Sequence, residues 1–447
     1  MEINKLTRND FYITFGLVLL AFLVRVPNFS QISQPVFDEA HYANFAIRTL
    51  NGERYIDVHP PLGRIIFAFL AKIFKSEGDF NEIKYGSDYG NFPFKALRMA
   101  TIIAGSLLCG IIFLIARKIY SELSLAVLAA LLVIFDGFLI IYSRFILPDT
   151  YLLVFGFLGI LFFLSALGSK KKSALFFIFI AGLFFGFAGL IKWSGFGFLG
   201  AAIFFSACRI LNREIDRSQV FLGTLAERGL ARAEEIFSRK LSVVPKTSDE
   251  SRFRGFQHRK EFFKILALLF FAIATYILIF TAFSFTGQGD HSYFSFIVQA
   301  VKMTEGHLKL QDHVLASRPY VWPFMQMAFP FWHSEGITIS LSPNLVGWVS
   351  VALSIILGII IFITEKDKLL LLFIGGYFIN FAPYFFIPRT LYIYLYMPSL
   401  IFGYLLIPRI ISFLEKIGYA KPRVVFNTFS VFVVFSYALF IPFIYGL

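Results

Sequence analysis

Apolar residues in this chain gather into long runs separated by short charged clusters. A helix needs about 20 mostly apolar residues to cross the hydrocarbon core of a bilayer. Runs near that length occupy 11–26, 96–116, 123–142, 151–167, 173–191, 195–208, 262–283, 345–363, 369–386, 391–410 and 425–444. They predict eleven membrane-spanning helices. The first has no small-residue cleavage site behind it and reads as a retained helix. The stretch 62–74 is apolar but short, which suits a re-entrant or interfacial helix. No internal repeat and no Gly/Ser linker divides the chain, so 1–447 reads as a single membrane-embedded domain.

Composition strengthens that picture. Charged residues make up 15% of the chain and hydrophobic ones 57%, whereas soluble domains are about 25% charged. A soluble fold is thereby excluded. The net charge of +13 sits mainly between the runs, where it sets topology: Lys and Arg concentrate in cytoplasmic loops. Lys5, Arg8, Lys170–Lys172 and the basic segment 209–260 then face the cytoplasm. The polar segments 28–95 and 284–343 face outward. This places the N-terminus inside, the C-terminus outside and the protein in the cell membrane. Such a charge distribution gives no soluble basic face for nucleic acid. Within 209–260, residues 219–241 carry Arg and Glu at helical spacing and suit an interfacial helix beside anionic lipid. Cys109 and Cys208 lie in apolar runs and read as small buried hydrophobes.

Candidate chemistry collects on the outer side. Phe37-Asp38-Glu39-Ala40-His41-Tyr42 follows the first run. Asp57-Val58-His59-Pro60-Pro61-Leu62-Gly63-Arg64 comes next, and its two prolines stiffen the entry to the short apolar stretch. Ser143-Arg144 and Asp149 join the third and fourth runs. Lys192-Trp193 and Arg389-Thr390 sit at other outer ends. Arg144, Lys192 and Arg389 can surround an anionic headgroup, for which a guanidinium fork is well shaped. Asp136, inside a run, needs a partner or a polar cavity. His307 and His313 lack a zinc spacing and fit an interface better. No phosphate-cradling glycine loop or dinucleotide fingerprint is present.

These motifs resemble the protein O-mannosyltransferase family, polyprenyl-phosphate-dependent glycosyltransferases of the GT-C fold. The acid pair at Asp38-Glu39 and the His59-Pro60-Pro61-Leu62-Gly63 element carry most of the likeness. Ser143-Arg144, Asp149, Lys192-Trp193, Ser317-Arg318-Pro319-Tyr320-Val321-Trp322-Pro323 and Asn344 with Trp348 add to it. The resemblance implies an all-α polytopic membrane enzyme that moves mannose, with inversion, from a polyprenyl-phosphate carrier to Ser or Thr of exported proteins. It implies Asp38 as the catalytic carboxylate and Glu39 beside it on the acceptor side. Arg144 would hold the carrier phosphate. Asp57, His59, Asp149, Lys192, Arg318 and Arg389 complete the candidate substrate site. A divalent metal is not required, because cationic side chains can neutralise phosphate, although Asp38, Glu39, Asp57 and His59 are all ligand types. The chain departs from the family in its short segment 284–343, which lacks the β-trefoil region of eukaryotic members, and at Gly137 and Pro148. A prokaryotic member fits those departures. Transfer of another sugar, or to a lipid or glycan, is the nearest alternative. A secondary transporter or a scaffold is more distant.

Overall fold

The computed structural model describes residues 3–53, 57–75, 79–211, 248–285, 295–308, 316–324, 329–334, 336–365, 367, 369–419 and 421–447. Helix α1 (Arg8–Arg25) is followed by α2 (Glu39–Leu50) and α3 (Leu62–Ile73), then α4 (Phe94–Ile119), α5 (Leu123–Ile134), α6 (Gly137–Tyr142), α7 (Asp149–Leu167) and α8 (Lys171–Ile191). Next come α9 (Trp193–Leu211), α10 (Ser248–Phe283) and α11 (Ser295–Leu308). A hairpin of β1 (Phe329–Ser334) and β2 (Ile337–Leu341) precedes α12 (Leu345–Glu365), α13 (Leu370–Phe381), α14 (Met397–Lys416), α15 (Pro422–Leu439) and α16 (Ile441–Tyr445). The expected helix at 219–241 and His313 fall outside the described residues.

Seven helices among the described residues are long and apolar enough to cross a membrane by length and composition: α4, α7, α8, α9, α10, α12 and α14 with the turn before it. The expected eleven is therefore corrected. Four runs fail for separate reasons. Helix α1 carries Arg8, Asp10 and Arg25 within its 18 residues. The run 123–142 breaks at Asp136 into the 12-residue α5 and the 6-residue α6. The run 369–386 gives the 12-residue α13 and a 3-10 turn that contains Pro383. The run 425–444 stops at Leu439 and restarts as α16 with Pro442 in its first turn. The all-α expectation also needs the antiparallel hairpin added; Gly336 turns it at φ 81°.

Packing sorts the helices into centre and rim. In α14 78% of the spanning window is buried, against 22% in α10. Phe262, Phe263, Phe270 and Leu278 of α10 are exposed, as lipid-facing residues are. Small residues bring α7 close to its neighbours: a Cβ on Gly159 would lie 2.4 Å from the Phe185 ring, and one on Gly156 2.3 Å from Phe198.

Asp136 explains the break between α5 and α6. Its Oδ1 accepts the Leu139 amide at 2.9 Å, capping α6. Its Oδ2 accepts from Trp348 Nε1 at 2.9 Å, Tyr404 Oη at 2.8 Å and the Asn344 amide at 3.2 Å. A buried carboxylate is tolerated where donors surround it, and here they join α6 to α12 and α14.

Candidate active site

The first outer segment supplies one acid to a cavity and withholds its neighbour. Phe37 adopts a left-handed backbone, φ 51°, which costs a non-glycine residue of order 1–3 kcal/mol. Its ring offsets part of that by stacking on Phe331 of β1, centroids 4.7 Å apart. The turn places Asp38 at the N-cap position of α2. Asp38 lines a cavity of about 900 Å³ with His41, Tyr42, Tyr85, Tyr392 and Tyr394. Burial and then the Asp38 charge push the Tyr85 phenol up to about 12. The Tyr85 phenol therefore stays neutral near physiological pH.

The same cavity also has cationic lining. Lys192 and Arg389 line the cavity together with Asp57 and His59. Pro60-Pro61 precede α3 and fix the segment that carries Asp57 and His59. Asp57 is 5% exposed and its Oδ1 accepts the His59 amide at 3.1 Å. Burial pushes its carboxyl up to about 6, against the pull of Arg64, the His59 amide and Lys192. Lys192 donates to both carboxylate oxygens of Asp149, at 2.8 and 2.9 Å, and lies 4.7 Å from the Tyr394 ring centre. His59, Lys192, Arg389 and Leu395 also line a second cavity of about 410 Å³. That cavity shares Ile379 and Pro383 with a groove of about 600 Å³ lined by residues such as Phe204, Phe362 and Phe386. An acidic and aromatic chamber thus meets a cationic waist, and beyond the waist runs an apolar groove. Among the described residues no three His, Cys, Asp or Glu side chains gather into a metal site.

Four candidates sit elsewhere. Glu39 is fully buried. It grips Arg98 through both oxygens, at 2.9 and 2.6 Å, and accepts the amides of Val36 at 2.9 Å and Ile146 at 2.7 Å. These contacts place it in the fold and not on the cavity wall. Arg144 is 2% exposed; it donates to the carbonyls of Ile444 and Pro27 and lies 4.6 Å from the Tyr445 ring centre. Burial pushes its guanidinium down to about 10. It lines neither cavity, so it ties α16 and the end of α1 to the turn before α7. Asp149 lines neither cavity and reaches the waist through its ion pair with Lys192. Arg318 is exposed and lines neither cavity.

Arg144→Ala is accordingly expected to reduce thermal stability, since two carbonyls lose a charged donor worth about 1.5–3 kcal/mol in a typical site. The KM for a lipid-phosphate donor should stay near the wild-type value in the folded fraction. A raised donor KM with unaltered melting would return Arg144 to the binding site.

Tyr85, Tyr394 and the hairpin residues Phe331 and His333 also line the chamber without standing out in the sequence. The Tyr392-Ile393-Tyr394 repeat three residues after Arg389 is the available signal for Tyr394; those two tyrosine rings stack with centroids 5.6 Å apart.

Residues 16–231 match the family model for dolichyl-phosphate-mannose-protein mannosyltransferase, and residues 293–447 match that for the C-terminal four-transmembrane region of protein O-mannosyltransferase. A dolichyl-phosphate-mannose–protein mannosyltransferase of Schizosaccharomyces pombe is 29% identical over 34% of this chain and 20% of its own length. Protein O-mannosyltransferase 1 of Drosophila melanogaster is 31% identical over 44% of the chain and 23% of its own length. The matches thus span about a fifth of those relatives. The donor-bound Saccharomyces cerevisiae protein O-mannosyltransferase complex has a chain that superposes with a TM-score of 0.77 over 99% of this chain and 91% of its own, at 14% identity. An Archaeoglobus fulgidus oligosaccharyltransferase superposes with 0.54 over 98% and 56%, also at 14%. At that identity the likeness speaks for the fold.

Proposed function

We propose that this chain, which belongs to the GT-C family of membrane glycosyltransferases with the protein O-mannosyltransferases and oligosaccharyltransferases, transfers mannose from a polyprenyl-phosphate carrier to Ser or Thr hydroxyls of exported proteins. The observation that carries this reading is that Asp38 lines the same chamber as the Lys192–Arg389 waist. The relatives act on dolichyl-phosphate-mannose and protein by name, which supports the choice of donor and acceptor.

The chemistry follows from the layout. The carrier's tail lies in the apolar groove and its phosphate at the waist, where Lys192 and Arg389 offset the anionic charge. The sugar then extends into the chamber. An acceptor hydroxyl attacks the anomeric carbon while Asp38 takes its proton. The bond from that carbon to the phosphate oxygen breaks, and polyprenyl phosphate leaves as the anion already held by the cations. Attack opposite the leaving group inverts the configuration. Asp149 positions Lys192. The chamber faces the extracytoplasmic side of the cell membrane in this reading, with the N-terminus inside and the C-terminus outside. The short segment 284–343 supports a prokaryotic member.

Sealed vesicles with the outer face exposed, supplied with polyprenyl-phosphate-mannose, test the whole assignment. A membrane-impermeant Ser/Thr peptide added outside should gain mannose, read by mass spectrometry. Transfer only to a glycolipid acceptor, only from another sugar donor, or only to peptide sealed inside would each overturn the corresponding part.

A further inference from the structure

The waist constrains where each part of a lipid-linked sugar sits. His59, Lys192 and Arg389 line both the larger chamber and the smaller cavity. An anionic phosphate belongs at those shared cations. The smaller cavity leads to the apolar groove through Ile379 and Pro383, so the tail leaves on that side. The sugar must therefore enter the chamber next to the waist. Asp57 lines the chamber and not the smaller cavity, and its neighbour but one is His59 of the waist.

A carboxylate there is a poor phosphate ligand, because like charges repel. Two cations, Arg64 and Lys192, act on Asp57 and offset that repulsion. A buried carboxylate is instead a strong acceptor for hydroxyl donors. The side chain is also held: the His59 amide anchors Oδ1, and the Pro60-Pro61 pair fixes the backbone behind it. The stacked rings of Tyr392 and Tyr394 lie in the same chamber. Asp38 is spoken for by the acceptor proton.

We infer that Asp57 accepts hydrogen bonds from the hydroxyls of the donor's sugar ring and determines which sugar is used. This deepens the proposed function and rests on it. A site built to hydrogen-bond a hydroxyl rejects an analogue lacking it far more strongly than an apolar pocket does, because its own polar group is left unpaired.

The test measures binding of three probes to the purified full chain in nanodiscs: polyprenyl phosphate, polyprenyl-phosphate-mannose, and the same donor deoxygenated at single ring positions. Wild type should bind the mannose donor more tightly than the bare phosphate and should penalise at least one deoxy donor by about tenfold or more. In Asp57→Ala that penalty should vanish and the mannose donor should weaken, while polyprenyl phosphate binds at least as well as before. Asp57→Asn keeps the shape of the side chain and gives the same comparison if the alanine variant does not fold. Deoxy penalties that persist unchanged in the variants would overturn the inference, as would equal weakening of the phosphate and mannose probes. Wild-type protein that fails to bind polyprenyl phosphate at all would instead overturn the functional reading beneath it.

Discussion

Asp38→Asn should yield a folded protein that binds its lipid donor and transfers sugar on the order of 10²- to 10⁴-fold more slowly, the range lost with a general base. A serine or threonine hydroxyl is a weak nucleophile until its proton has an acceptor within about 3 Å as the new bond forms. Asn keeps the size of Asp and one oxygen but lacks a basic site. The N-cap position of α2, which Asp38 occupies, tolerates either side chain, because Asn also caps helices well. Single-turnover transfer from polyprenyl-phosphate-mannose to a Ser/Thr peptide is the measurement, with donor binding determined separately. Near-normal transfer by the well-folded variant would remove Asp38 from the chemistry and direct attention to Asp57, the other chamber acid.

Glu39 gives the opposite expectation. Glu39→Ala should destabilise the protein by about 3–5 kcal/mol, the usual effect of removing one partner from a buried ion pair. Arg98 is fully buried among the rings of Tyr89, Phe94 and Phe145. It also donates to the carbonyls of Phe29, Ile32 and Gln34. Without Glu39 its charge is stranded, and the amides of Val36 and Ile146 lose their acceptor. Pairing Glu39→Ala with Arg98→Met should restore part of the loss, since the stranded charge is then gone. Thermal unfolding of the single and double variants checks this. A variant Glu39→Gln that melts like wild type yet fails to transfer sugar would return Glu39 to the chemistry.

The adjacent acids show where sequence reasoning succeeds and where it stops. Composition and run length lead to a membrane fold because the bilayer requires it. The motif led to Asp38. Neighbouring helical residues point about 100° apart, so one acid facing a cavity turns the other away, but local pattern does not say which. That choice depends on Arg98, 59 residues further along, and on Phe37 taking a backbone conformation usually left to glycine. Arg144 meets the same limit. An arginine at the end of a run looks like a phosphate ligand, and only tertiary structure brings Ile444 against it, 300 residues away in sequence. Asp136 was read as a charge needing partners; it has them, but satisfying them ends the helix and shortens the run that length alone counted as a span.

The donors around Asp136 have a consequence for how the chain is assembled. Its backbone belongs to the N-terminal stretch that matches one family model, and Asn344, Trp348 and Tyr404 belong to the stretch that matches the other. Arg144 reaching Ile444, and Tyr120 donating to the Leu405 carbonyl at 2.6 Å, cross the same divide. The two stretches therefore recognise each other through buried, directional polar contacts as two subunits of an oligomer would.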